Sequence, residues 1–389
     1  MTVVSISSAS TATFSKLTLT ALVAFAAITP MALLVAPALA AQLGFELRLG
    51  PPQVGTYFFV ENGAFSAASL ASLVWLGRAN VRVIGASALA VFAIGNLVTP
   101  FVLPDYTSLL FVRAFAGFGG GTLMVLSMVS GQDAENPDRV FGYWVVGQLV
   151  AGAAGLFLLP YLFASFGLKS FYIALGVLTL LMSPLCKGFV VPISSRHAVS
   201  VHPVPPRVVL FAAMAIIAIL AFYIVIGGVW TFASAAAAQN GIQNEATGGI
   251  LAVASLFGIA GAMLATCLGG HLGRRSMLIL GYAILLLAVL GLAVFAGRMG
   301  YIAAICSFKF GWTFVLPFII AEVASRDPSG RLVASTTLII GSGLSLGPLF
   351  AGMLLGSAWS LSAVFIAAAV IALLSFVCLS ISPRLQAAG

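Results

Sequence analysis

Three charged residues, Glu61, Arg113 and Lys309, lie inside apolar stretches long enough to cross a bilayer. A charge at that depth is costly unless it faces a partner or a water-filled cavity, so these three mark a candidate site. Arg113 could grip a carboxylate or phosphate with two parallel hydrogen bonds, and Lys309 could act as a compact point charge. Glu61 is the one carboxylate well inside a span, at much the same depth as Arg113. It could carry a proton, or it could form a permanent ion pair with Arg113. Either cation could equally be structural, pairing with a carboxylate or capping a carbonyl between helices.

The elements that must position them are twelve hydrophobic segments, at about 17–41, 55–75, 83–103, 107–130, 140–163, 169–190, 207–235, 246–268, 276–297, 300–323, 331–356 and 359–381. A hydrocarbon core of about 30 Å takes roughly 20 helical residues. Backbone amides cannot stay unpaired in lipid, and these segments lack the short alternation of a barrel strand, so each is expected to be a helix. The fold class is therefore an all-α membrane protein with twelve transmembrane helices. The chain is 61% hydrophobic and 7% charged, against roughly 25% charged in a soluble domain. Its net charge of +8 is scattered through short loops and forms no basic face, which argues against nucleic acid.

With a cytoplasmic N-terminus, twelve basic residues fall in inner loops and tails, among them Lys16, Arg78, Arg82, Arg139, Arg274 and Arg326, and three, Arg48, Lys169 and Arg298, fall outside. That bias places both termini in the cytoplasm of a multi-pass inner-membrane protein. The first segment imitates a signal peptide, with Lys16 ahead of an apolar run and the string APALAAQ behind it. Its run is longer than a signal's apolar region, and one positive charge precedes it, so it is read as a retained helix. Cys186, Cys267, Cys306 and Cys378 form no paired or metal-ligand pattern and read as reduced packing residues.

The chain divides into two similar halves. Gly77-Arg78-Ala79-Asn80-Val81-Arg82 follows span two, and Gly270-His271-Leu272-Gly273-Arg274-Arg275 follows span eight. Asn136-Pro137-Asp138-Arg139 precedes span five as Asp327-Pro328-Ser329-Gly330-Arg331 precedes span eleven, and Arg113 in span four answers Lys309 in span ten. Six spans per repeat give both repeats the same orientation, related by an axis along the membrane normal. The expected domains are a tail at 1–16, a six-helix half at 17–190, a proline-rich cytoplasmic linker at 191–206, a second half at 207–381 and a tail at 382–389. His197 and His202 in the linker are read as solvated residues beside prolines, with a metal site as the alternative.

These stretches resemble the major facilitator superfamily over nearly the whole chain. The loops after spans two and eight resemble that family's Gly-x-x-x-Asp-Arg-x-Gly-Arg-Arg signature, with Gly77 and Gly270 where the acid is expected. Arg113-Ala114-Phe115-Ala116-Gly117-Phe118-Gly119-Gly120-Gly121 is similar to its span-four signature. Gly343-Leu344-Ser345-Leu346-Gly347-Pro348-Leu349-Phe350-Ala351-Gly352 is similar to a glycine-proline signature that drug antiporters carry in span five, but it lies here in span eleven. The resemblance implies that spans one, four, seven and ten line a central cavity, where Arg113 and Lys309 would face each other across an anion. It also implies an inner gate latch built from Arg78, Arg82, Arg274, Arg275, Glu322 and Arg326, whose plain alternative is a surface pair worth under about 1 kcal/mol.

The polar and aromatic candidates for the cavity are Tyr57, Gln148, Tyr223, Trp230, Phe310 and Trp312. Trp230 and Trp312 stand out because a flat substrate could stack on them. The glycine runs are read as helix-packing surfaces, with bending during transport as the alternative. The chain is expected to be a proton-coupled secondary transporter of a small organic anion, a monomer in membrane lipid with no cofactor. The rivals are a proton-driven exporter of drugs or amphipathic metabolites and a non-transporting receptor of the same fold. An enzyme is not expected, because the spans hold no Ser/His/Asp set, no His-Glu-x-x-His and no paired aspartates.

Overall fold

A computed structural model describes residues 15–76, 78–131, 134, 136–190, 206–268, 273–324 and 331–381. The tails apart from Ser15 and Lys16, Gly77, Arg326 and all of the expected linker except Pro206 lie outside the described residues. The first expected span is three helices, α1 (Lys16–Ile28), α2 (Met31–Leu34) and α3 (Ala36–Glu46). Pro30 and Pro37 cause the breaks. Each removes a backbone donor and crowds the preceding turn, and each stands at or beside the start of the next helix. The span consequently runs on to Glu46, past the expected end at 41.

There follow α4 (Pro51–Trp75), α5 (Val81–Val102), α6 (Tyr106–Gly131), α7 (Pro137–Phe166) and α8 (Lys169–Leu181). After α8 the sixth span continues as a short 3-10 turn, Ser183–Gly188, so it is not one helix to 190. The second part comprises α9 (Pro206–Thr231), α10 (Ala233–Gln239), α11 (Asn244–Leu268), α12 (Arg274–Val294), α13 (Arg298–Ala324), α14 (Arg331–Gly356) and α15 (Leu361–Ile381). Among the described residues, nine helices are long and apolar enough to cross a membrane: α5, α6, α7, α9 and α11 to α15. The other three expected spans differ for visible reasons. The first is broken by prolines, α4 carries Gln53, Glu61, Asn62 and several serines, and α8 is short.

The helices pack in a repeating order. In the first part α4 lies on α6, α5 on α6 and α8, and α1 on α7; in the second α11 lies on α13, α12 on α13 and α15, and α9 on α14. Between the parts, α4 packs on α14 and α7 on α11. Large apolar side chains such as Phe101, Phe111, Leu73 and Val370 cover the outside, which suits contact with lipid rather than water.

Small residues bring the helix backbones together. A methyl group added at Gly117 would lie 2.5 Å from the Glu61 carbonyl oxygen on α4, and one at Gly119 would lie 2.8 Å from the Phe92 nitrogen on α5. The glycine run of α6 is therefore a two-sided packing surface. The α4–α14 seam is equally close, because methyls at Gly55 and Gly352 would strike the carbonyls of Pro348 and Pro51. On the α7–α11 seam, one at Gly248 would lie 2.6 Å from the Leu156 carbonyl. These seam contacts fall toward the end of the molecule that carries the turns at 47–50 and 240–243.

Candidate functional site

Arg113 on α6 is fully buried, and both terminal nitrogens of its guanidinium are engaged. Nη2 donates to Glu61 Oε1 on α4 in a close ion pair. Nη1 donates to Asn96 Oδ1 at 3.0 Å and to Thr99 Oγ1 at 3.3 Å, both on α5. The oxygens on α5 are aimed by helix geometry. Asn96 spends its amide N–H on the Phe92 carbonyl at 2.8 Å, and Thr99 spends its hydroxyl proton on the Gly95 carbonyl at 2.7 Å, one turn back in each case. Their acceptor atoms are left to face the cation.

Two tyrosines complete this cluster. The guanidinium carbon of Arg113 lies 5.0 Å from the centre of the Tyr172 ring, within range of a cation–π contact. The hydroxyls of Tyr57 and Tyr172 share a hydrogen bond at 2.9 Å. Two buried atoms of the cluster, Glu61 Oε2 and Arg113 Nε, have no hydrogen-bond partner among the described residues. The pair is electrically balanced, yet it retains one open acceptor and one open donor.

Lys309 on α13 has different surroundings. It is 4% exposed, and its Nζ lies 3.9 Å from the ring centre of Trp230 on α9 and 4.2 Å from that of Trp312. Trp312 is three residues further along α13 and so shares a helix face with Lys309. The two indoles are 6.5 Å apart at 64°. Among the described residues the ion pairs are Arg113–Glu61 and Arg274–Glu322, and no polar side chain is hydrogen-bonded to the Lys309 ammonium. Among the described residues, the groups that face the Lys309 amine are aromatic rings. A desolvated contact of this kind is worth about 2 kcal/mol, well short of the hydration the ammonium gives up.

The remaining candidates fall in different places. Tyr57 belongs to the arginine cluster. Tyr223 is buried where α9 meets α14, edge-on to Phe222 and against Gly343. Phe310 stacks on Phe314, and Gln148 is half-buried on α7. Of the gate candidates, Arg274 Nη1 approaches Glu322 Oε2 at 3.4 Å and ties the start of α12 to the end of α13. Arg78 caps the end of its own helix through the Val74 carbonyl at 2.8 Å, and Arg82 and Arg275 are exposed. Arg326 lies outside the described residues.

Asn96, Thr99 and Tyr172 were not among the sequence candidates. A signal existed for the first two, since they are polar residues three apart on one face of an apolar helix. A cavity of about 340 Å³ opens at the end carrying the 47–50 turn, lined by Gln42, Phe45, Pro160, Ser234 and Glu245 among others. It lies between α3 and α7 on one side and α10 and α11 on the other.

A sequence model of the Major Facilitator Superfamily matches residues 17–328. Among proteins of curated function, none matches this sequence significantly. Solved structures do. A variant of the nucleoside transporter NupG superposes with a TM-score of 0.74 at 9% identity, over 94% of this chain and 98% of that one. A bacterial homologue of the human lysosomal transporter Spinster, inward-facing and unoccupied, gives 0.67 at 17% identity, over 95% and 96%. Its occupied form gives 0.68 at 14%, over 94% and 96%. At these identities the likeness is one of fold.

Proposed function

Because this chain belongs to the Major Facilitator Superfamily and is a multi-pass membrane transporter rather than an enzyme, we propose that it moves a small organic anion by proton-coupled alternating access. The observation that carries this reading is Lys309, a buried basic residue with aromatic faces around it and, among the described residues, no carboxylate hydrogen-bonded to it. An anionic substrate supplies the missing countercharge, and Trp230 and Trp312 offer its flat or apolar part a surface. Arg113 contributes to the field of the site, but with its terminal nitrogens held by Glu61, Asn96 and Thr99 it is a second grip rather than the first. Glu61 is the proton carrier: its open Oε2 is the atom that takes a proton, and doing so discharges the carboxylate and weakens its pair with Arg113, which ties protonation to that contact.

The same reading takes the twelve apolar segments as twelve crossings in two six-helix halves. It is supported by helix pairs that recur between the two parts and by seams, α4–α14 and α7–α11, that exchange under that repeat. The basic bias of the loops supports an inner-membrane orientation with both termini cytoplasmic. The close backbone contacts then lie on the outer side, which fits an inward-facing conformation like that named for the Spinster homologue. Of the inner-gate residues within the described part, Arg78, Arg82, Arg274, Arg275 and Glu322, it is Arg274 and Glu322 that form an ion pair, and self-association is not required.

A second reading follows from the tryptophan pair: two indoles also suit a neutral flat ring, and a nucleoside transporter is among the structural neighbours. Counterflow in proteoliposomes separates them. With a panel of organic acids, nucleosides and lipophilic cations, the expected result is exchange of an acid, lost by at least about tenfold in Lys309→Ala, the scale of a charge-assisted contact. Exchange of a neutral or cationic compound that survives Lys309→Ala would replace the anion reading.

A further inference from the structure

Trp230 touches both halves of the molecule at once. Its ring lies over Lys309, and its indole Nε1 donates to the Leu33 carbonyl on α2 at 3.2 Å, across the boundary between the first and seventh spans. The sequence makes that carbonyl available. In a continuous helix, the oxygen of residue 33 would accept from the N–H of residue 37, but residue 37 is proline and has none. The chain breaks there, with Val35 between α2 and α3. Trp230 is 1% exposed, so its donor has no water to turn to if the bond opens.

The surroundings make Trp230 a junction. The helix α9 ends one residue later, at Thr231, and α10 continues the span after Phe232. Tyr301 on α13 donates to the Ala233 carbonyl at 3.1 Å, which fixes α10 to the helix that carries Lys309. The helix α3 packs against both α9 and α10. Separating the halves at this end therefore requires the indole to leave Leu33, whatever else moves.

We propose that Trp230 is a positioning residue that couples the Lys309 site to the seal between the two halves. One face of its ring senses the ammonium, and its N–H holds the first span shut through the carbonyl that Pro37 frees. An anion that draws the ammonium off the ring loosens the indole's seat, and the bond to Leu33 is the contact that must then give. Only this last step rests on the transport reading; the latch itself does not.

The test uses a cysteine reporter, Ser234→Cys, in the full chain with Cys186, Cys267, Cys306 and Cys378 replaced. Ser234 is 8% exposed and lines the cavity between α3 and α10. Alkylation by an impermeant maleimide in membranes reports opening at that end. Trp230→Phe keeps an aromatic face for Lys309 but removes the donor, and labelling should rise about fivefold, the scale of one net hydrogen bond. Pro37→Ala returns an N–H to the Leu33 carbonyl while leaving Trp230 in place, and should produce a similar rise. The two together should exceed neither alone, because both remove the same bond. Lys309→Met should raise labelling when Trp230 is present and have no further effect with Trp230→Phe.

Labelling of Trp230→Phe at the parent's rate overturns the latch, as does an additive response to Trp230→Phe and Pro37→Ala. An equal effect of Lys309→Met with and without Trp230→Phe overturns the coupling. Alkylation needs no substrate, so the outcome is separate from whether an acid is transported.

Discussion

Arg113 on α6 and Glu61 on α4 form one balanced unit, in which a guanidinium without exposed surface is matched by a single carboxylate and two oxygens of α5. Among the described residues, Lys309 on α13 has only ring faces. The two buried basic residues are thus held in opposite ways, and the predictions separate what each does.

The pair should be essential to folding. Removing one partner of a buried ion pair leaves an uncompensated charge, which costs about 3–5 kcal/mol. Glu61→Ala should therefore lower the thermal midpoint in detergent far more than Arg113→Lys, which keeps the charge and loses part of the fork. Equal midpoints for the parent and Glu61→Ala would mean that the pair does not hold the helices.

Neutralising without truncating should act on coupling. Glu61→Gln keeps a side chain that can still accept from Arg113 but cannot exchange a proton. Substrate exchange at equal pH should persist, while accumulation driven by an imposed pH gradient should disappear. Accumulation at the parent's level would assign the proton to another group or to none.

The α5 oxygens should matter through position. Asn96→Leu removes the acceptor and leaves Arg113 Nη1 with Thr99 alone, at a cost of about 1–3 kcal/mol for a buried charged donor left short. Asn96→Asp should not restore the parent, because it places a second negative charge beside Glu61. A thermal midpoint unchanged in Asn96→Leu would show that this contact carries no weight.

Side chains added to the glycine run should fail by geometry. A methyl at Gly121 would strike the Phe65 carbonyl oxygen on α4, and backbone cannot yield as a flexible side chain can. Gly121→Val should reduce the yield of monodisperse protein sharply, whereas Gly142→Ala, with open space around it, should be neutral.

Topology gives the last test. Reporter fusions within 191–205 and at both termini should read cytoplasmic, as the distribution of Lys and Arg implies. An external reading at the central loop would change the number of spans or their direction.

Much of this was legible in the sequence, and the missing parts have physical reasons. Glu61, Arg113 and Lys309 stood out because charge in a long apolar run is costly wherever the helix points. Pairing of Glu61 with Arg113 was one of two readings that depth alone permitted, and choosing between them needed the rotation of α4 against α6. The breaks in the first span could be anticipated from Pro30 and Pro37. The bond from Trp230 to Leu33 could not, because its acceptor is a backbone oxygen 197 residues away and no side-chain pattern announces it. Hydropathy also ranks α4 below its neighbours, although it packs against both α6 and α14. Its polar residues serve the interior, and an average over the helix counts them against it.

The seam between α4 and α14 has a mechanical consequence. Where Gly55 meets Pro348 and Gly352 meets Pro51, the closest contact is backbone on backbone, and the side chains that mesh on this seam, Ser66 against Gly341 and Asn62 on the Leu344 carbonyl, lie further along it. Such a joint behaves as a plain bearing. It keeps its clearance while rotating, so friction stays low and alignment high. A bulky residue on either face would meet backbone rather than a yielding side chain, so it would hold the two surfaces apart and disfavour the state in which this end is closed.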